Sequence, residues 1–240
     1  MSFYREVLLK KYVTLTIFAI AMGLLETIVV VYMRELYYPE GFRFPLKPLP
    51  GWIISVEIVR EMCTLLMLGT VAWITGKKIL QRWAAFLFLF GIWDIFYYIG
   101  LKAFLNWPGS LLTWDILFLI PITWIGPVLA PIVCSTIMIG MALIFEWSLF
   151  NQKNSRLKFH ELLLLFVGAA FIFFTFIFDF GKIIIQGDFL KEIGSLPEDP
   201  EFNAILTTFI PDHYKWGLFS VGILIILISI SFFIKRSHKF

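Results

Sequence analysis

The chain has 240 residues, of which 60% are hydrophobic and 15% are charged, and it contains 27 Phe and 9 Trp. Soluble domains are about half apolar and about a quarter charged, so this composition, with a mean hydropathy of +0.86, argues against an ordinary soluble protein and indicates a polytopic membrane protein. The net charge of +3 and the scattered basic residues indicate the lipid bilayer as a partner and no nucleic acid.

Six apolar stretches are long enough to cross a bilayer as helices, for which about 20 residues are needed. They predict an all-α integral membrane protein with a single transmembrane domain over residues 1–240. The basic start and long apolar run of the first stretch predict an uncleaved helix rather than a signal peptide. The predicted spans are 12–33, 52–74, 83–105, 124–147, 161–186 and 214–234.

Lysine and arginine residues predict the orientation, because cytoplasmic loops of membrane proteins are enriched in them. The short loops 75–82 and 148–160 are basic, whereas the loop that follows the fifth span is acidic. We therefore expect both termini in the cytoplasm and a location in a bacterial inner membrane or plasma membrane.

Two segments on the predicted outer side have features of interfacial structure. Residues 34–51 combine four prolines with several aromatic residues, which indicates a rigid segment on the membrane surface. In segment 187–213, Pro200 suits the first position of a helix. Phe202, Ile205 and Phe209 then share one face, which predicts an amphipathic helix lying in the interface.

Residues 114–147 form an apolar segment that is too long for one straight span and too short for two. Pro121 and Pro127 interrupt it. This pattern predicts a re-entrant half-helix before the fourth span, because broken helices occur at membrane depth where they line a cavity. A proline-kinked helix that starts on the membrane surface is the alternative.

Four acids lie inside the predicted spans, where an unpaired ionised carboxylate costs several kcal/mol. At about 1.5 Å per residue, all four lie roughly 7–13 Å below the outer surface. Three different helices therefore place acids at one level. They are Glu26, Glu57, Glu61 and Asp94.

Other polar side chains are predicted to lie near these four acids and to complete a binding site with them. Arg60 is three residues from Glu57 and shares its helix face. His213 at the outer mouth adds a ligand that transition metals accept. A carboxylate site of this kind could hold a divalent or transition metal ion or another cation, or share protons. The remaining supporting residues are Tyr97, Tyr98 and Asp115.

Two functions from different classes follow. The first is a membrane enzyme for a lipid-like substrate, or a small transporter, built on the carboxylate site. The second is a non-catalytic subunit of a larger redox or photosynthetic complex, whose acids form structural ion pairs, for example Arg60 with Glu57 and Glu61, or Lys102 with Asp94. Haem is not expected, because no two histidines lie on facing spans.

Overall fold

The computed structural model describes residues 2–151, 156–189 and 196–238. Parts of the predicted segments 148–160 and 187–213 therefore lie outside the described ranges. The chain is mainly helical, with a short 3-10 helix over Leu196–Glu198. In chain order the elements are α1 (Ser2–Tyr37), α2 (Gly51–Thr75), α3 (Ile79–Leu105), β1 (Trp114–Phe118), β2 (Trp124–Pro127), α4 (Leu129–Phe150), α5 (Phe159–Gln186), α6 (Pro200–Leu206) and α7 (Trp216–His238).

Five of the described helices are long and apolar enough to span a membrane, judged by length and composition. They are α1, α3, α4, α5 and α7, which supports the predicted helical membrane protein. The 25-residue α2 carries Glu57, Arg60 and Glu61 and is not among the five, whereas six spans were predicted from the sequence.

The helices pack as two groups. In the first, α3 lies against α1, α2 and α4; in the second, α5 lies against α7. Strand β2 packs on both α4 and α5, and α4 also meets α7, so the strands and α4 connect the two groups. We call the end of the bundle that holds the strands and α6 the hairpin end, and the opposite end, where α1 starts and α7 finishes, the terminus end.

The predicted half-helix before the fourth span is wrong. Residues 114–127 instead form an antiparallel hairpin in which Asp115 lies opposite Gly126, and α4 begins only at Leu129. The physical reason is local: short runs rich in aromatic and branched residues, separated by a proline-containing turn, favour paired strands over a helix. The chain is mostly helical, which supports the predicted all-α membrane protein, and it contains one small two-stranded sheet.

The segments at the hairpin end are held by local caps and contacts. The Asp199 side chain accepts hydrogen bonds from the backbone N–H groups of Glu201 (2.8 Å) and Phe202 (2.9 Å). Pro200 is the first residue of α6, as the sequence predicted, and Phe202 is buried. Residues 42–50 contain no regular helix or strand.

Gly23 lets α1 approach α3 closely. A Cβ at this position would lie 2.6 Å from the backbone oxygen of Trp93. One turn later, the Thr27 hydroxyl donates to the backbone oxygen of Tyr97 (3.0 Å). Small residues and hydroxyl bonds of this kind are typical of contacts between helices in membranes.

The closest contact between α5 and α7 depends on Gly168, and we predict that Gly168→Val destabilises the protein. An added Cβ would lie 2.6 Å from Ile226 Cγ1 and 2.8 Å from the backbone oxygen of Gly222. Overpacking of this kind costs about 1–3 kcal/mol. Gly181→Val on the same helix is the control, since nothing lies within 4 Å of its Cβ position. Thermal melting in detergent should show a lower midpoint for the first variant than for the second; equal midpoints would contradict the prediction.

Candidate functional site

Three of the predicted acids converge on Arg60. The guanidinium donates through Nε to Glu57 Oε2 (2.8 Å) and through Nη1 to Glu26 Oε1. Its Nη2 lies 4.0 Å from Glu61 Oε1. Arg60 is one helical turn from Glu57, so α2 alone sets that contact, whereas the Glu26 contact joins α2 to α1. We call Glu26, Glu57, Arg60 and Glu61 the Arg60 cluster.

Glu61 has a second role that the sequence did not indicate. Both of its carboxylate oxygens accept from the backbone N–H of Leu119, at 3.1 and 2.9 Å. Leu119 follows β1 at the tip of the hairpin. The carboxylate thus satisfies a backbone donor that the turn leaves unpaired, and it fixes the hairpin to α2.

Asp94 does not join the Arg60 cluster. Its Oδ2 accepts from the hydroxyl of Ser135 on α4 at 2.7 Å, and both side chains are buried. Lys102, the expected partner, donates instead to the backbone oxygens of Asn106 (3.3 Å) and Pro108 (3.1 Å). Asp94 therefore contacts α4 rather than the Arg60 cluster.

Asp115 forms a separate buried ion pair with Arg34. Arg34 Nη2 donates to Asp115 Oδ1 (3.0 Å), and the Tyr98 hydroxyl donates to Oδ2 (3.3 Å). Burial raises the pKa of Asp115 to about 6, even though Arg34 acts in the opposite direction. Arg34 is the first residue of the predicted surface segment 34–51, whereas in the structure it lies in the last turn of α1 and is buried.

Aromatic side chains enclose Arg34. Its guanidinium carbon lies 3.8 Å from the ring centroid of Trp107 and 4.5 Å from that of Phe42, which are cation–π distances. Its Nη1 is buried without a hydrogen-bond partner among the described residues. The other supporting residue, Tyr97, packs edge-on against Tyr98 with the ring centroids 4.9 Å apart.

His213 lies apart from these groups. Its side chain is 83% exposed and bonds to Asp212 at 2.7 Å. Within the described residues, no group of three or more His, Cys, Asp or Glu side chains is arranged to hold a metal ion. The five predicted ligands Glu26, Glu57, Glu61, Asp94 and His213 are thus distributed over three places, and the Arg60 guanidinium lies among three of them.

A cavity of about 400 Å³ at the hairpin end connects the Arg60 cluster with Asp94 and with the Arg34–Asp115 pair. We call it the acidic cavity, because its lining includes five acids and three bases. The acids are Glu26, Glu57, Glu61, Asp94 and Asp115, and the bases are Arg34, Lys47 and Arg60.

A second cavity, of about 510 Å³, lies between α3, α4, α5 and α7. We call it the apolar slot, because nearly all of its lining side chains are aliphatic or aromatic. Asp94 is the single acid among them, and it lines the acidic cavity as well. Both volumes fall within the range of about 300–1,000 Å³ that is typical of small-molecule sites.

The arrangement can therefore neutralise positive charge on the acidic side and accommodate an apolar group on the other. No protein-family model, no curated protein and no solved structure matches this chain.

Proposed function

We propose that this chain is a six-span integral membrane protein whose acidic cavity binds a cation or exchanges protons, in a small transporter or in a membrane enzyme for a lipid-like substrate. The observation that carries the proposal is the charge count of the cavity. Five acids and three bases line it, so two positive charges are missing when all groups are ionised. Protons or a bound cation supply that charge most simply in a setting of low dielectric constant.

The proposed topology takes α2 as the sixth span. With 25 residues it is about 37 Å long at 1.5 Å per residue, which exceeds the hydrocarbon thickness of about 30 Å. The hairpin end then faces outward and the terminus end lies in the cytoplasm, as the basic loops indicate. In this topology the hairpin is re-entrant, since Glu61 holds its tip within the span level.

Proton release on cation binding tests the proposal. Methylammonium, Na⁺ and Ca²⁺ are added separately to protein in weakly buffered nanodiscs at pH 7. We expect at least one of them to displace protons from the cavity in a saturable manner. In Glu61→Gln the release should be lost or weakened, whereas Glu40→Gln, whose side chain is 82% exposed in the wild type, should behave as wild type. Absence of proton release with every cation would contradict the proposal.

The metal form of the proposal has its own test. Elemental analysis of purified wild type and Glu61→Ala should show stoichiometric metal in the first and less in the second if the carboxylates bind a metal ion. Absence of metal from both proteins would exclude a bound metal ion. Protons or an organic cation would then be the groups that neutralise the acids.

The second candidate is a non-catalytic subunit of a larger membrane complex. One observation favours it: acids of the cavity already have protein partners, such as Arg60 for Glu57, Leu119 for Glu61 and Ser135 for Asp94. Stoichiometric co-purification of other membrane proteins, together with no proton release, would support this candidate.

A further inference from the structure

We propose that the apolar slot binds the hydrocarbon chain of a single-chain amphiphile, and that the ammonium head group of this molecule lies at Asp94. The proposal rests on the proposed function, because it names the cation that the acidic cavity receives.

The shape of the slot fits an extended chain. On α3 its lining residues run from Trp83 to Asp94, which is roughly 16 Å along the helix axis. On α4 they run from Pro131 to Phe145, roughly 21 Å in the same terms. Met138 and Met141 lie on its wall, and methionine side chains adapt readily to flexible apolar ligands. The slot is therefore elongated parallel to the helices.

The slot and the acidic cavity meet at four residues that line both: Trp93, Asp94, Leu117 and Phe118. A molecule with its chain in the slot would thus bring its other end to the wall of the acidic cavity. An amphiphile matches this change from apolar to charged lining.

The charge at this junction selects a cation. Among the described residues Asp94 has a hydroxyl partner, Ser135, and forms no ion pair. An ammonium group at Asp94 would supply the missing counter-charge and offset part of the acid excess of the cavity. Trp93 and Phe118 are aromatic residues in the lining of the junction, and aromatic rings favour cationic groups. A carboxylate head group would be repelled by the same acids.

Two indole N–H groups beside the slot are buried and unpaired among the described residues. Trp93 is 5% exposed, and its indole N–H has no hydrogen-bond partner among the residues that the structure describes. The indole N–H of Trp124, which also lines the slot, is likewise unpaired within the described part of the chain. An unpaired buried donor destabilises the folded protein, because it has lost its hydrogen bonds to water. Both donors are closed off from the slot, so the head group is held by its charge at Asp94 rather than by these N–H groups.

Equilibrium dialysis with radiolabelled dodecylamine tests the proposal, using protein in phosphatidylcholine nanodiscs and empty nanodiscs as the blank. We expect one saturable site per chain that binds dodecylamine about tenfold or more tighter than dodecanol or dodecanoate. Asp94→Asn should remove the preference for the amine over the alcohol. Saturable binding that is equal for all three head groups, or no binding above the blank, would overturn the proposal.

Two neighbouring alanines on α5 provide a matched pair for the chain site. Both are exposed, but Ala169 lines the slot and Ala170 does not. Ala169→Trp should fill the slot and weaken dodecylamine binding about tenfold or more, whereas Ala170→Trp should leave it unchanged. Equal binding by both would overturn the proposal.

Cross-linking tests the position of the chain without any variant. The wild type is labelled with a dodecylamine that carries a diazirine at the end of its chain, and we expect labelling of slot residues on α4 and α5. Labelling confined to other surfaces would contradict the slot proposal.

The two proposals fail in different ways. If methylammonium releases protons but chain length adds no affinity, the slot proposal fails and the proposed function stands. If no cation releases protons and dodecyl chains bind regardless of head group, the proposed function fails as well.

Discussion

Replacing Arg60 with methionine is expected to lower the free energy of unfolding by about 3–5 kcal/mol at pH 8, the cost of breaking a buried ion pair. Arg60 contacts Glu26 and Glu57 directly and lies 4.0 Å from Glu61. Without the guanidinium, three largely buried acids at one level lose their shared positive charge. Unfolding in mixed micelles with increasing SDS measures the loss.

Arg43→Met is the matched control, because Arg43 pairs with Glu40 at 3.7 Å on the surface and both side chains are more than three-quarters exposed. Exposed pairs contribute about 0–1 kcal/mol, so its midpoint should stay close to wild type. A loss in Arg60→Met no larger than in Arg43→Met would show that the cluster is not held by charge.

A triple variant separates stability from function. Arg60→Met combined with Glu26→Gln and Glu57→Gln removes the positive charge together with two negative ones. Replacing buried charges together with their partners is often close to neutral for stability. Glu61 keeps its charge in this variant and keeps the backbone N–H of Leu119 as a donor, so most of the lost free energy should return. If the acids bind a cation, this folded variant should release fewer protons with methylammonium than the wild type does.

The Arg60 cluster also shows which features of the site could be predicted from the sequence and which could not. Depth along each helix is a matter of counting residues, and the contact between Glu57 and Arg60 follows from their spacing of three. The rotation of a helix about its axis is not fixed by counting when apolar residues surround it on all sides. Asp94 was for this reason expected beside the cluster, although α3 turns it toward Ser135.

The hairpin was harder to predict. A short apolar run can be a strand or part of a buried helix, and its periodicity does not distinguish the two. The run from Trp114 to Phe118 is five residues long and is bounded by turn residues such as Pro108 and Pro121, which was the available signal for a strand. The partners Leu119 and Ser135 carry no charge and belong to no motif, so only the packing of the chain shows their roles.

The second large effect is expected at Arg34. Arg34→Met leaves Asp115 buried with no cation, which should cost about 3–5 kcal/mol at pH 8. Arg82→Met is the control for the loss of stacking without the loss of an ion pair. The Arg82 guanidinium carbon lies 3.6 Å from the Trp73 ring centroid, and Arg82 donates to the backbone oxygen of Gly76 rather than to a carboxylate.

The pH dependence identifies the cause of the Arg34 effect. The pKa of Asp115 in the folded protein is about 6, raised from 3.8 by burial. A carboxyl group whose pKa is raised by folding binds more protons when folded, so its contribution to stability falls as pH rises from about 4 to about 6. Removing Arg34 takes away an influence that lowers this pKa, so the stability of Arg34→Met should fall more steeply than that of wild type between pH 5 and pH 8. If Arg34→Met instead loses the same free energy of unfolding at pH 5 and at pH 8, as Arg82→Met is expected to do, the loss is due to aromatic stacking. The buried charge of Asp115 would then have no role in stability.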